Sequence, residues 1–285
     1  MELTAPPLEL DERALARVVE AALTEDVGAG DLTTDAVVAA GARCTARLWL
    51  EEPGVACGLP AARAVFAALD PDVRFAAALT EGGQATAAPA LLAEVEGRAQ
   101  PILTGERTAL NLVGRLCGIA TLTRRFVDLV TGTGVTILDT RKTTPGLRVL
   151  EKYAVRCGGG RNHRLGLDDA ILLKDNHLRL AGGIGPAVAA ARAVARGRPL
   201  EVEAETLAEV GEALAAGAER ILLDNMSPEQ VSEAVKLVAG RAQLEASGGI
   251  SLATVRAYAE TGIDFVSVGA LTHAARALHV SLEVS

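Results

Sequence analysis

The chain has 285 residues, with 28 basic against 36 acidic side chains, and is 49% hydrophobic but only 2% aromatic. That length suits one barrel or two modest domains, with a core drawn from Ala, Leu and Val. An acidic, aromatic-poor chain is a poor binder of nucleic acid, which calls for a positive face or stacking rings. The acids Glu2, Glu9, Asp11 and Glu12 are unlike a signal peptide, and no apolar run is long enough to span a bilayer, so the expectation is a cytoplasmic protein with no membrane contact. Cys44, Cys57, Cys117 and Cys157 show no metal-ligand spacing and read as small buried hydrophobes in a reducing compartment.

In chain order, the spacing over residues 11–24 predicts a helix, followed by a loop at 25–38 whose Gly28 and Gly30 mark turns and whose Asp31 offers a local cap. Alternation predicts strands between Thr45 and Gly58, with Pro53-Gly54 turning the chain; a short helix follows at 61–69. Residues 73–79 and 84–103 read as further strands, interrupted by Gly82-Gly83 and Gly97, and 105–131 as a long helix, bent near Gly118. From there short apolar strands alternate with helices. The strands VTILDT, AILLKDN, LEVEAE, RILLDN, QLEASGG and FVSVGA are separated by helical patterns at 147–157, 185–196, 206–216, 228–239 and 251–261. Strands with helical crossovers pair in parallel, and this series predicts an α/β barrel. The closing HVSLEV reads as a strand returning to the first part.

The cations are not evenly spread. Residues 139–179 hold nine Lys/Arg and five Asp/Glu, and three of the four lysines (Lys142, Lys152, Lys174, with Lys236 outside) fall there. A solvated basic patch is the plain alternative, but cations gathered among glycines and histidines in an acidic chain point to a multiply anionic ligand. Barrel active sites sit at the C-terminal ends of the strands. Those ends are Asp139-Thr140-Arg141-Lys142, Lys174-Asp175-Asn176-His177, Glu203 with Glu205, Asp224-Asn225, Ser247-Gly248-Gly249, and Val268-Gly269-Ala270. The first half of the rim is cationic, with His163 and Arg164 from a loop; the second half is acidic.

Glycine after the last two strands lets backbone N–H groups approach an anion, as in barrel phosphate sites, although a Gly-Gly pair alone is more often a turn. Glu203 and Asp224 could hold Mg2+ through water and substrate oxygens, accept sugar hydroxyls, or pair with Lys142 or Lys174. His163 lies on a loop, which favours function over a core histidine, whereas His177, His273 and His279 read as structural. Lys174 could also be a Schiff-base lysine.

Several stretches together resemble the quinolinate phosphoribosyltransferases. They are EDVGAGDLTT at 25–34, GERTALNLVGRLCGIAT at 105–121, and the core running from DTRKTTPGLR through EKYAV, NHR and LLKDNH. EVEAET, ILLDNM, EASGGI and FVSVGALTHAA complete the match, which is nearly end to end. The resemblance implies an N-terminal α/β sandwich at 1–114, joined by the tail 276–285, and an incomplete parallel α/β barrel (TIM-like) at 115–275. It implies a homodimer or an assembly of dimers that joins quinolinate to phosphoribosyl pyrophosphate with Mg2+. The products would be nicotinate mononucleotide, pyrophosphate and CO2, in NAD biosynthesis.

By the same resemblance Arg141, His163 and Arg164, with Lys142 and Lys174, would bind the quinolinate carboxylates. Arg107 would reach into the partner's site. Glu203 and Asp224 would face the ribose and metal, and the catalytic set would be Lys142, Lys174, Glu203 and Asp224. Ser247, Gly248, Gly249 and Gly269, flanked by Val268 and Ala270, would hold the 5′-phosphate, with Thr140 beside the acceptor. Cys117 stands where relatives usually have Ser and His279 where Asp is usual; both are away from the rim and bear on packing. The competing readings are a same-fold enzyme with another pyridine or base acceptor, a Schiff-base aldolase barrel built on Lys174, and a non-enzymatic binding module.

Overall fold

A computed structural model describes residues 9–285; the acidic Glu2 lies outside the described residues. The chain forms two compact units. The first takes the described residues up to Arg124, Thr143–Gly159 and Leu271–Ser285, and the second Arg125–Lys142 and Gly160–Ala270.

In the first unit an antiparallel sheet has the order β12-β1-β5-β3, from β1 (Arg43–Leu50), β3 (Arg74–Ala77), β5 (Ala90–Arg98) and β12 (Val280–Val284). Along β1 the even positions Ala46, Leu48 and Leu50 are buried, the period expected of a sheet with one face on a core. The final strand does return to this sheet, pairing Leu48 with Leu282. A small ladder joins β2 (Gly54–Val55) to β4 (Gln84–Ala85).

Helix α1 (Glu12–Val27) starts where Asp11 accepts the N–H groups of Arg13 and Ala14. The stretch expected to be a loop after it contains a helix, α2 (Leu32–Val37), because the Asp31 carboxylate caps it by accepting the Thr34 N–H. Helix α3 (Leu59–Leu69) begins at Gly58, which has no side chain to cap with and φ of +97°. Glu81 supplies the missing acceptor, taking the N–H groups of Gly58 and Leu59 at 3.0 and 2.9 Å.

The long helix α4 (Ala99–Leu129) starts six residues earlier than its pattern suggests, since Pro101 is tolerated in a first turn. It runs unbroken through Gly118. A Cβ there would overlap the Arg276 carbonyl oxygen, and one on Gly114 would lie 2.7 Å from the Leu278 carbonyl oxygen, so both glycines make room for the C-terminal segment. Helix α5 (Arg148–Cys157) completes this unit, with its buried Glu151 receiving the Arg115 guanidinium at 2.8 Å and the Thr144 N–H at 3.0 Å.

The second unit is a six-stranded parallel sheet of order β6-β11-β10-β9-β8-β7. Its strands are β6 (Thr136–Leu138), β7 (Ile171–Leu173), β8 (Leu200–Ala204), β9 (Arg220–Asp224), β10 (Gln243–Ser247) and β11 (Phe265–Ser267). All six expected strands are present in parallel, and β6 and β7 end the sheet without pairing with each other, so the barrel is incomplete. Beside β6 the backbone of Arg161 forms a single parallel bridge with Leu138.

The crossovers are α7 (Ile184–Val194), α8 (Leu207–Ala215), α9 (Pro228–Val238) and α10 (Val255–Ala259). Capping boxes start two of them: Thr206 with Glu209, and Ser227 with Gln230. Like α2, helix α6 (Asp175–Ala181) goes unmarked by its sequence pattern, a seven-residue piece ended by Gly182 at φ +85°. A last short helix, α11 (Ala270–His273), follows β11. No helix among the described residues is long and apolar enough to cross a membrane.

Candidate active site

Strand period and register place the rim side chains. Residues aligned across parallel strands point to one face, and Glu203 is level with Leu222, and Asp224 with Ser247. Lys174 follows β7 directly, next to Glu203. The geometry agrees: Lys174 Nζ lies 2.9 Å from Glu203 Oε2, and the Asp175 N–H donates to Glu203 Oε1 at 3.2 Å. Asp224 belongs to the same group. Burial first, then the Glu203 charge, raise its carboxyl above the usual range, while Lys174 and Lys142 act in the opposite sense. Four expected site residues, Lys142, Lys174, Glu203 and Asp224, therefore share one electrostatic neighbourhood.

The cationic half is built on β6 and the segment after Gly160. Asp139, fully buried, accepts the Asn162 side-chain N–H at 2.6 Å and the His163 backbone N–H at 2.9 Å. Its own N–H donates to the Arg161 carbonyl at 3.2 Å. Those bonds hold His163 and Arg164 beside the end of β6, where Arg141 follows two residues after Asp139. Arg164 donates to the Ala170 carbonyl at 3.1 Å. Burial, then the nearby Arg141 guanidinium, lower its pKa, so the two arginines are brought together with their like charges opposed. Such a pair suits a ligand with two carboxylates. Thr140 accepts the Lys142 N–H through its hydroxyl at 3.1 Å.

His163 is placed differently from the other cations. Its Nε2 lies 3.0 Å from Glu201 and 3.5 Å from Glu245, and its Nδ1 accepts the Arg164 N–H at 2.7 Å. Burial opposes protonation of the ring, but the Glu201 bond and the Glu245 charge outweigh it and raise the pKa. The Arg164 N–H pointing at Nδ1 works against a second proton, and that short contact decides for a ring carrying one proton, on Nε2. Glu201 and Glu245 were not marked as site residues by the sequence. The available signal was that Glu201 shares the alternation of Glu203 in LEVEAE.

At the end of β10 Gly248 has φ of +102° and Gly249 +62°, and a Cβ on Gly248 would lie 2.2 Å from Asn225 Oδ1. Asn225, itself at φ +56°, donates its N–H to the Ser247 carbonyl at 2.8 Å. Glycine is thus required where the two strand ends cross. Val268 donates to the Leu138 carbonyl at 2.9 Å, which fixes the turn into Gly269 and Ala270. Arg107 lies on α4 in the first unit with its side chain 63% exposed.

Three cysteines far apart in sequence meet in the first unit. Cys117 Sγ bonds the Cys57 N–H and carbonyl, each at 3.3 Å, and Cys57, Cys157 and Glu81 could together offer ligand atoms to a metal. Both Glu81 oxygens already serve the start of α3, and burial pushes the Cys117 thiol up to about 12 and Cys57 upward too, so these are protonated core thiols. His279, exposed, bonds Glu52 through its backbone N–H, consistent with a packing role.

A parallel α/β sheet whose rim sets paired arginines and two lysines against two carboxylates and a glycine turn belongs to the class of α/β barrels whose rim suits a multiply anionic ligand. Family models specify it further: "Quinolinate phosphoribosyl transferase, N-terminal domain" matches residues 31–117 and the corresponding C-terminal domain residues 119–283. The chain belongs to the quinolinate phosphoribosyl transferase family. It is 45% identical over 266 residues to a probable nicotinate-nucleotide pyrophosphorylase [carboxylating] of Synechocystis, covering 92% of this chain and 90% of that one. It is 44% identical to the nicotinate-nucleotide pyrophosphorylase [carboxylating] of Mycobacterium leprae, covering 93% and 95%. Among solved structures, NadC from Streptococcus pyogenes superposes with a TM-score of 0.93 at 41% identity, covering 97% of this chain and 98% of that one. The nicotinate-nucleotide pyrophosphorylase from Francisella tularensis gives 0.94 at 40%, covering 99% and 100%.

Proposed function

We infer that this chain transfers the phosphoribosyl group of phosphoribosyl pyrophosphate to quinolinate with loss of CO2, giving nicotinate mononucleotide and pyrophosphate. The observation that carries the reading is the division of one rim into adjacent guanidiniums, Arg141 and Arg164, and adjacent carboxylates, Glu203 and Asp224.

The arginines, aided by Lys142 and Lys174, bind the pyridine dicarboxylate, because planar forks match carboxylates in pairs. Departure of pyrophosphate leaves an oxocarbenium-like ribose, and Glu203 and Asp224 stabilise that positive charge. Ser247, Gly248, Gly249, Val268, Gly269 and Ala270 receive the 5′-phosphate through backbone N–H groups. Ribosylation makes the ring nitrogen cationic, so the electron pair left by CO2 at the adjacent carbon is stabilised by the substrate itself. Lys142 or a bound water returns the proton, and the protein contributes position and a cationic pocket.

Glu203 and Asp224 suit a hard dication: both offer oxygen donors, and the Glu203 charge acts on Asp224. With Glu203 already engaged by Lys174, they would hold Mg2+ partly through water or substrate oxygens, and Mg2+ would neutralise the leaving pyrophosphate. Lys174 in its ion pair with Glu203 is engaged as a cation, whereas an aldolase needs a free amine there. The protein works in the cytoplasm as a homodimer or an assembly of dimers, with Arg107 completing the partner's site.

The test is CO2 release from carboxyl-labelled quinolinate. Release that requires both phosphoribosyl pyrophosphate and Mg2+ is expected; ribosylation of another base without release would overturn the acceptor assignment. For the shared site, inactive Arg107→Ala and Lys174→Ala chains, when mixed one to one and allowed to exchange, should regain about a quarter of wild-type activity, since about half of the dimers then carry one intact site of two. No recovery on mixing would place Arg107 in its own chain's site.

A further inference from the structure

A second set of charges occupies the same face of the barrel sheet as the rim acids. Glu201 is level with Arg220, and Glu245 with Phe265. Glu201 and Glu245 are 5% and 0% exposed. Arg220 stacks on the Phe265 ring, 4.2 Å from its centroid, and its Nη1 lies 3.7 Å from Glu245. Into this group the 160–164 segment inserts the His163 ring, bonded to Glu201 at 3.0 Å.

Two acids and an imidazole with ligand atoms this close could be taken for a metal site. The tautomer argues against it. A metal at Nε2 would force the ring proton onto Nδ1, where the Arg164 N–H already points from 2.7 Å. The Arg220 guanidinium near Glu245 adds a second objection. Yet Glu201 Oε1 is buried with no hydrogen-bond partner among the described residues, and the buried Glu245 carboxylate is met by the Ser267 hydroxyl, His163 and Arg220 without a close hydrogen bond, a costly arrangement for a structural core. An apolar pair would fill the same space at lower cost.

We propose that Glu201 is a positioning residue for the acceptor: it fixes the His163 ring so that Nδ1 holds the Arg164 backbone and sets its guanidinium beside Arg141. Asp139 anchors the same segment from the His163 N–H and Asn162, so Glu201 acts on the ring and the register of Arg164, not on whether the segment folds. The inference rests on the quinolinate reading above.

The test uses Glu201→Leu and Glu201→Gln in the full-length protein, with KM for each substrate, kcat, and the His163 tautomer by long-range 1H–15N correlation, feasible with four histidines in the chain. The wild-type ring should show Nε2–H at mildly alkaline pH. Glu201→Leu should raise KM for quinolinate by ~10- to 100-fold, the usual cost of losing an orienting partner, and leave that for phosphoribosyl pyrophosphate within about twofold. Glu201→Gln, which still accepts from Nε2–H, should restore most of the affinity and the tautomer.

Equal rises in both KM values, or an unchanged quinolinate KM, would overturn the proposal. Should Glu201→Leu not fold, the wild-type tautomer decides alone, since Nδ1–H there would refute the clamp. Absence of quinolinate-dependent CO2 release from the wild type would instead sink the functional reading, and the tautomer measurement would still stand.

Discussion

Glu203 and Glu245 stand level in the barrel sheet, both opposite Leu222 on the two sides of β9. Their circumstances differ. Glu203, itself only 6% exposed, is met by the half-exposed Lys174 and the Asp175 N–H, so its charge is paired at the mouth of the sheet. Glu245 has no exposure, and burial, then the neighbouring Glu201, raise its carboxyl to about 7. What separates them is the His163 ring, laid against Glu245 by a segment that Asp139 anchors beside β6. Strand alternation sets which face a carboxylate takes, and a loop from elsewhere in the barrel decides whether a cation at the rim or an imidazole in the interior meets it.

The largest expected effect tests the rim side of that contrast. Glu203→Gln and Asp224→Asn should each lower kcat by ~100- to 1,000-fold, the scale of losing an electrostatic group aimed at developing charge. Glu203→Gln should cost about 1–3 kcal/mol of stability, because Glu203 is buried and paired with Lys174 and the Asp175 N–H, and Asp224→Asn, at a half-buried site, should cost less. A large fall in Tm with kcat retained would show these acids to be structural and would erase the distinction from Glu245.

Glu245→Gln tests the interior side. The carboxyl is taken from 4.5 to about 7 on folding, so the folded state binds its proton more tightly than the unfolded chain. Its contribution is therefore complete below pH 4.5 and is lost as pH rises through 7. Glu201 and Arg220 face the same group and set the balance. The amide cannot ionise, so the variant should gain on the wild type by about 3 kcal/mol between mildly acidic and alkaline pH. Parallel urea midpoint curves for the two proteins would contradict this and place Glu245 in an environment like that of Glu203.

The parts legible in the sequence were those governed by local period. LEVEAE, RILLDN and QLEASGG gave their strands, and the same two-residue period put Glu203 and Asp224 on one face. An ion pair of Glu203 or Asp224 with Lys142 or Lys174 was among the readings, and the structure joins Glu203 to Lys174. The clamp on His163 was not legible, because it joins residues 38 apart through a ring orientation that no spacing encodes. Helices α2 and α6 were missed for a related reason: at six and seven residues neither shows a full amphipathic cycle, and each is started by one hydrogen bond. The meeting of Cys57, Cys117 and Cys157 was likewise hidden, being a product of packing around Glu81.

The smallest expected effect concerns how the rim lysine is held. His177 accepts the Lys174 backbone N–H on Nδ1 at 2.9 Å, acting as a cap for the seven-residue α6. Both residues are exposed, so His177→Ala would hand that N–H to water and cost about 0.5–1 kcal/mol. Lys174 Nζ would keep its Glu203 partner, which fixes the ammonium independently of the backbone. Both KM values should therefore stay within about threefold of wild type, the factor matching the loss of one exposed cap, whereas Lys174→Ala should impair the reaction strongly. A His177→Ala protein that is fully stable but inactive would mean that the imidazole itself meets substrate. The rim would then extend along α6, and its cations would be distinguished from the interior group by contact with the ligand and not by depth.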